Sequence, residues 1–157
     1  MESSLDMVIR FSIGVGIFFA STLTHELGHV AMHRIFSGDG RWQITMGAGN
    51  TLVKLGKISL KSWFMFGGHA TWEKKDAPRS HRILWLAGGF LANGILALLI
   101  FLLTPGFNAD FWRLALALNI LQALFTMIPM VYPIGPYKDM PSDGLRIYRL
   151  LRDREQK

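Results

Sequence analysis

Three long stretches of this chain are almost free of charge, and they confine it to folds whose helices lie in apolar surroundings. Residues 11–32 hold no ionisable side chain except His25, Glu26 and His29, residues 83–103 hold none, and residues 114–137 carry no charge. Each stretch approaches the ~20 residues that a helix needs to cross a bilayer. Half of the 157 residues are hydrophobic and only 18% are charged, an unusual balance for a small soluble domain. The expectation is one integral-membrane domain, residues 1–157, mainly α. Its three core transmembrane helices would cover about 11–35, 83–103 and 111–130.

The first stretch contains Thr24-His25-Glu26-Leu27-Gly28-His29. On a helix, residues four apart lie on one side, about one 5.4 Å turn from each other, so both imidazoles can reach one zinc ion. The glutamate beside them can then handle protons on metal-bound water. A shuffled chain of this composition would carry His-Glu-x-x-His only about 0.004 times. No cysteine occurs, which leaves nitrogen and oxygen donors for any metal. Glu2 and Asp6 precede Arg10, and no small-residue cleavage site comes before the motif. The first helix is therefore expected to stay as an anchor rather than leave as a signal peptide.

Charge placement sets the expected orientation. Nine basic residues (Arg34, Arg41, Lys54, Lys57, Lys61, Lys74, Lys75, Arg79, Arg82) against three acidic ones (Asp39, Glu73, Asp76) lie between the first two stretches. The tail from Lys138 adds six more, whereas residues 104–110 hold no basic residue. Lys and Arg stay on the cytoplasmic side, so the amino terminus is expected outside and the carboxyl terminus inside a cytoplasmic membrane of bacterial type. The net charge of +6 is explained by anionic headgroups at the flanks of membrane spans, so no nucleic acid partner is expected. The first helix ends before Ser37-Gly38-Asp39-Gly40, which puts His29 about 7 Å and His25 about 13 Å inside a cytoplasmic edge near Arg34.

Residues 42–46, 51–55, 58–60 and 62–72 read as short strands, punctuated by Gly47, Gly49-Asn50, Gly56 and Gly67-Gly68. They predict a small membrane-edge sheet between the first and second helices. Residues 144–154 predict a C-terminal amphipathic helix lying along the membrane surface. Gly14, Gly16, Ala20 and Ser21 are expected to let helices approach closely. Asn93 falls in mid-helix, where its amide must find a partner. His33 and His81, beside basic residues, are expected to face headgroups. His69, after two glycines, is read as interfacial, with a role beside substrate as the alternative.

Three segments in order give the chain a wider resemblance: His25-Glu26-Leu27-Gly28-His29, then Gly88-Gly89-Phe90-Leu91-Ala92-Asn93, then Ile128-Pro129 followed by Ser142-Asp143-Gly144. Together they resemble the site-2 protease family of intramembrane zinc metalloproteases, of which this would be a compact member. The resemblance implies zinc, one per chain, held by His25, His29 and Asp143, with Glu26 as general base. It implies that Asn93 binds the substrate carbonyl or its oxyanion. Gly88 and Phe90 stand where the family usually has alanine and proline. Thr126 replaces an asparagine, Leu145 replaces a glycine, and the connection from Met130 to Ser142 is longer than usual. Asp139, within that connection, is the competing third ligand.

The function so implied is an endopeptidase that cleaves membrane-spanning or membrane-anchored proteins near the cytoplasmic face. The substrate would pair with an edge strand around residues 66–71. Partners would be that substrate and the lipid bilayer, with control from substrate trimming or a regulatory membrane partner. The alternative is a catalytically inactive relative that binds membrane proteins. A di-iron membrane oxygenase would need more than the five histidines present.

Overall fold

The computed structural model describes residues 4–37, 40–72, 77–104 and 110–152. Asp39, residues 73–76, most of the 104–110 turn, and Arg154 and Lys157 of the basic tail lie outside the described residues. Along the chain come α1 (Ser4–Ser37), β1 (Trp42–Met46), β2 (Thr51–Leu55), β3 (Ile58–Lys61), a 3-10 turn (Phe64–Phe66), β4 (Gly68–Trp72), α2 (Arg79–Leu103), α3 (Asp110–Met127) and α4 (Asp143–Arg152). The chain is mostly helical, with a small mixed sheet between α1 and α2.

Proline sets several of these boundaries. Pro78 is the N-cap of α2, where its missing N–H costs nothing. The last turn of α3 stops short of Ile128, because a residue preceding proline, here Pro129, is pushed out of the helical region. α1 starts at Ser4, ahead of the expected residue 11, because helix continues through residues 5–10 with Asp6 complementing its N-terminal dipole.

α1 and α2 are long and apolar enough to cross a membrane. α3 is not in that group, so among the described residues two of the three expected spans meet this test. It has 18 residues and carries Asp110, Arg113, Asn119 and Gln122. Two of these face α1. The Ser21 hydroxyl lies 3.1 Å from Asn119 Oδ1 and 2.8 Å from Gln122 Oε1. The Gln122 amide donates to Thr22 Oγ1 at 3.3 Å. Ser21 and Gly14 thus do pack towards α3, but Gly16 has open space where a side chain would be, and Ala20 is exposed.

The sheet runs β2-β3-β1-β4. β2 and β3 form an antiparallel hairpin through Gly56, β3 pairs parallel with β1, and β4 pairs antiparallel with β1 as the end strand. The expected run over 62–72 is broken by the 3-10 turn before β4. One face of the sheet seals against α1 through Val30, Ile44 and Met46, all buried.

α1 and α2 approach backbone to backbone at Gly28 and Gly88. A Cβ on Gly28 would overlap the Gly88 carbonyl, and a Cβ on Gly88 would overlap that of Gly28. Gly28→Ala and Gly88→Ala should therefore each destabilise the protein by about 1–3 kcal/mol through overpacking. Gly94→Ala, at a position with nothing within 4 Å, should leave stability unchanged or slightly raised. Thermal unfolding in detergent reads the difference, and equal midpoints for the three would show that this crossing is not tight.

Candidate metal centre

Helix α1 presents His25 and His29 on one side, one turn apart. Both are buried in spite of their polarity, as is Glu26. Their Nε2 atoms lie 3.1 Å from each other. The third member comes from the first residue of α4: Asp143 Oδ2 lies 3.1 Å from His25 Nε2 and 3.2 Å from His29 Nε2. Among the described residues these three form a group able to hold a metal ion. Donors at about 2.0–2.1 Å from a tetrahedral zinc would stand about 3.3 Å apart, close to the spacing found.

The residues around the triad fit an ion. Gly89 of α2 sits over it, and a Cβ there would come within 2.5 Å of His25 Nε2 and 2.6 Å of His29 Nε2. Glycine keeps the space in front of both donors clear. His29 Nδ1 lies 2.7 Å from the Trp85 carbonyl, which accepts its proton and leaves Nε2 free as a ligand. Burial opposes ionisation of Asp143, but the His25 and His29 rings set against it hold its carboxyl well below the usual carboxylate range. It is an anion at any physiological pH.

Two local devices bring Asp143 here across a sequence separation of 118 residues. Ser142, almost fully buried, caps α4: its Oγ accepts from the backbone N–H of Leu145 at 3.1 Å and of Met130 at 3.1 Å, and donates to the Ile128 carbonyl at 2.7 Å. Gly144 then lets α4 touch the end of α3, since a Cβ would overlap the Met127 carbonyl. Asp139 is placed elsewhere: it is exposed, at a positive φ of 65°, and is not part of the group.

Glu26 stands beside the histidines, directed at the sheet. Its Cγ would lie 3.1 Å from a Cβ on Gly68, and its carboxylate is set against the backbone N–H of Ala70. The Gly67 carbonyl accepts from Gly47, so by strand alternation the Gly68 and Ala70 backbone groups point to the outer edge of the sheet. The acidic side chain thus meets the end strand at its open side.

Asn93 is completely buried one turn beyond Gly89, and neither of its amide atoms has a hydrogen-bond partner among the described residues. Among the described residues no interhelical hydrogen bond satisfies it. His69 does not join the triad. It lies on the β4 face opposite Gly68, and burial, with the charges of Lys61 and Arg146, pushes its pKa down.

His33 does not face headgroups as expected. It is fully buried, with its ring 5.3 Å from that of Trp72 and 4.8 Å from that of Trp85. Its spacing of four from His29 continues the buried side of α1, and that periodicity was the available signal. His81, half-buried, packs beside Phe36 instead. Gly89 as a donor-clearing residue is not legible in the sequence.

Comparison of the chain with protein-family models, with curated proteins and with solved structures yields no match.

Ligand counting gives a direct test. His25→Ala and Asp143→Ala should each lower zinc affinity by more than the roughly 10- to 100-fold that loss of an outer-shell partner costs, whereas Asp139→Ala should bind as wild type. Zinc content after dialysis against a graded chelator measures this. Equal loss in Asp139→Ala and Asp143→Ala would exclude the triad as the metal site.

Proposed function

We propose that this chain is an integral-membrane zinc endopeptidase that cleaves membrane-spanning or membrane-anchored proteins close to the cytoplasmic face, as its resemblance to the site-2 protease family implies. The observation that carries the reading is the convergence of His25, His29 and Asp143 on one point, with Glu26 beside them at the open edge of β4. Zinc held there would lower the pKa of a bound water to about 7 and polarise the substrate carbonyl.

The chain's own residues supply the rest. Glu26 takes the proton of the attacking water and delivers it to the departing amine. The backbone groups of Gly68 and the carbonyl of Ala70 receive an extended peptide as an added strand, which satisfies amides freed when a helical substrate unwinds. The Asn93 amide, buried and unpartnered, offers a donor to the carbonyl oxygen. Glu26→Gln should keep zinc and lose proteolysis of a reconstituted membrane substrate by roughly 100- to 10,000-fold. Cleavage by the variant at the wild-type rate would reject the reading.

Membrane insertion is supported by the outer surface of the helices. Leu5, Val8 and Phe11 of α1, Ile95, Leu98 and Phe101 of α2, and Leu121, Leu124 and Phe125 of α3 are all exposed. A water-soluble monomer rarely carries an apolar surface of that extent. We read α3 as the third span, its Asn119 and Gln122 being turned inward towards Ser21 and Thr22. Arg10 and Asp110, 3.7 Å apart, then mark the outer ends of α1 and α3.

This orientation is testable in a chain without cysteine. Asp110→Cys should react with a membrane-impermeant thiol reagent on intact cells, and Ser59→Cys, on β3, should react only after permeabilisation. The opposite pattern would invert the topology and remove the cytoplasm-facing site.

A further inference from the structure

The connection between Met130 and α4 is folded into a compact excursion. Val131 bridges to Pro141, the Tyr132 N–H donates to the Met140 carbonyl at 3.0 Å, and the Asp139 N–H donates to the Tyr132 carbonyl at 2.9 Å. The excursion lays the Tyr137 ring on Gly67, just before β4: a Cβ at Gly67 would come within 2.9 Å of Tyr137 Cε2. The ring is also edge-on to His69, with centroids 6.4 Å apart. On the other face of the same strand, Glu26 lies against Gly68. Tyr137 and Glu26 therefore flank Gly67 and Gly68, at the start of the strand that would receive the substrate.

The phenol oxygen of Tyr137 is buried and has no hydrogen-bond partner among the described residues. Leaving a buried hydroxyl unsatisfied costs about 1–3 kcal/mol. The packing against Gly67 and His69 needs only the ring, so the hydroxyl is explained by a partner that arrives with a ligand.

We propose that Tyr137 is a further catalytic residue, whose phenolic O–H donates a hydrogen bond to the carbonyl oxygen of the peptide bond under attack. The proposal rests on the endopeptidase reading above. A carbonyl oxygen has two lone pairs, so it can accept from Tyr137 of this excursion as well as from Asn93 of α2. Burial, with the charge of Glu26 adding, pushes the phenol up to about 12, so it keeps its proton at neutral pH and remains a donor. A preorganised donor of this kind is worth most where water is excluded.

The test uses the full chain in detergent, loaded with zinc, and a dipeptidyl hydroxamate, whose carbonyl oxygen stands in for that of the substrate. Tyr137→Phe keeps the ring and removes only the hydroxyl. Its zinc content should equal that of wild type, and calorimetry should show the hydroxamate bound roughly 3- to 10-fold more weakly, the effect of one hydrogen bond. Wild-type hydroxamate affinity in Tyr137→Phe would overturn the proposal. Loss of zinc from Tyr137→Phe would also overturn it, by making the hydroxyl structural. Wild-type protein that holds zinc but binds no hydroxamate would overturn the donor role and leave the metal centre standing. Wild-type protein that holds no zinc would instead remove the endopeptidase reading itself, and the proposal with it.

Discussion

The contact on which the rest depends is the backbone-to-backbone crossing of α1 and α2 at Gly28 and Gly88. With no Cβ on either side, the carbonyls of each helix lie against the other. That closeness gives α2 its functional geometry. Three residues before Gly88, the Trp85 carbonyl reaches His29 Nδ1. One residue after it, Gly89 faces both Nε2 atoms. Four residues further on, Asn93 is enclosed in the same seam. Trp85, Gly89 and Asn93 are spaced by four, so one side of α2 carries an acceptor for His29, a gap in front of both Nε2 atoms, and a buried amide. A larger residue at the crossing would move all three together.

Polarity in this molecule is arranged opposite to that of a soluble domain. Ser21, Thr22, His25, Glu26, His29, His33, Asn93 and Asn119 are buried, while large apolar side chains on the same helices point outward. In water such an arrangement would expose apolar area at about 25 cal/mol per Å² and also bury groups that prefer solvent. In a bilayer the first cost vanishes, and the second becomes a reason to pair polar groups inside the bundle. The Ser21–Asn119–Gln122–Thr22 seam does this for α1 and α3. The His25–His29–Asp143 triad does it for α1 and α4, with a charge that a bound cation would balance.

What could be read from sequence was set by periodicity and by breakers. The charge-free runs and the breakers beside them locate α1, α2 and α3, the amphipathic pattern over 144–154 locates α4, and the glycine-bounded runs locate β1, β2 and β3 within a residue or so. The first two members of the triad are legible because His25 and His29 sit on one helix at a spacing that the helix itself converts into proximity. Asp143 came only through resemblance to a family, since no local rule connects residues so distant in the chain. α3 falls short of a spanning helix by composition alone, because an apolar count ignores where polar side chains point. Asn119 and Gln122 shorten the apolar run of α3, yet both turn to α1. His33 was misplaced because its neighbours in sequence, Arg34 above all, suggest a surface, while its neighbours in space are Trp72 and Trp85.

Glycine explains why the remaining part was not legible. In sequence, Gly16, Gly28, Gly89, Gly94 and Gly144 look alike, each a small residue within a helix. In the fold, Gly16 and Gly94 face open space, Gly28 admits a neighbouring helix, Gly89 clears the donor atoms, and Gly144 seats α4 on the Met127 carbonyl. The difference lies wholly in what approaches from another element, which one helix cannot encode. The Ser142-Asp143-Gly144 run shows how the chain nevertheless secures a long-range result by local means. A capping hydroxyl fixes where α4 starts, and the glycine after it fixes how closely that start approaches α3. The carboxylate between them is thereby left with one direction to point, towards His25 and His29.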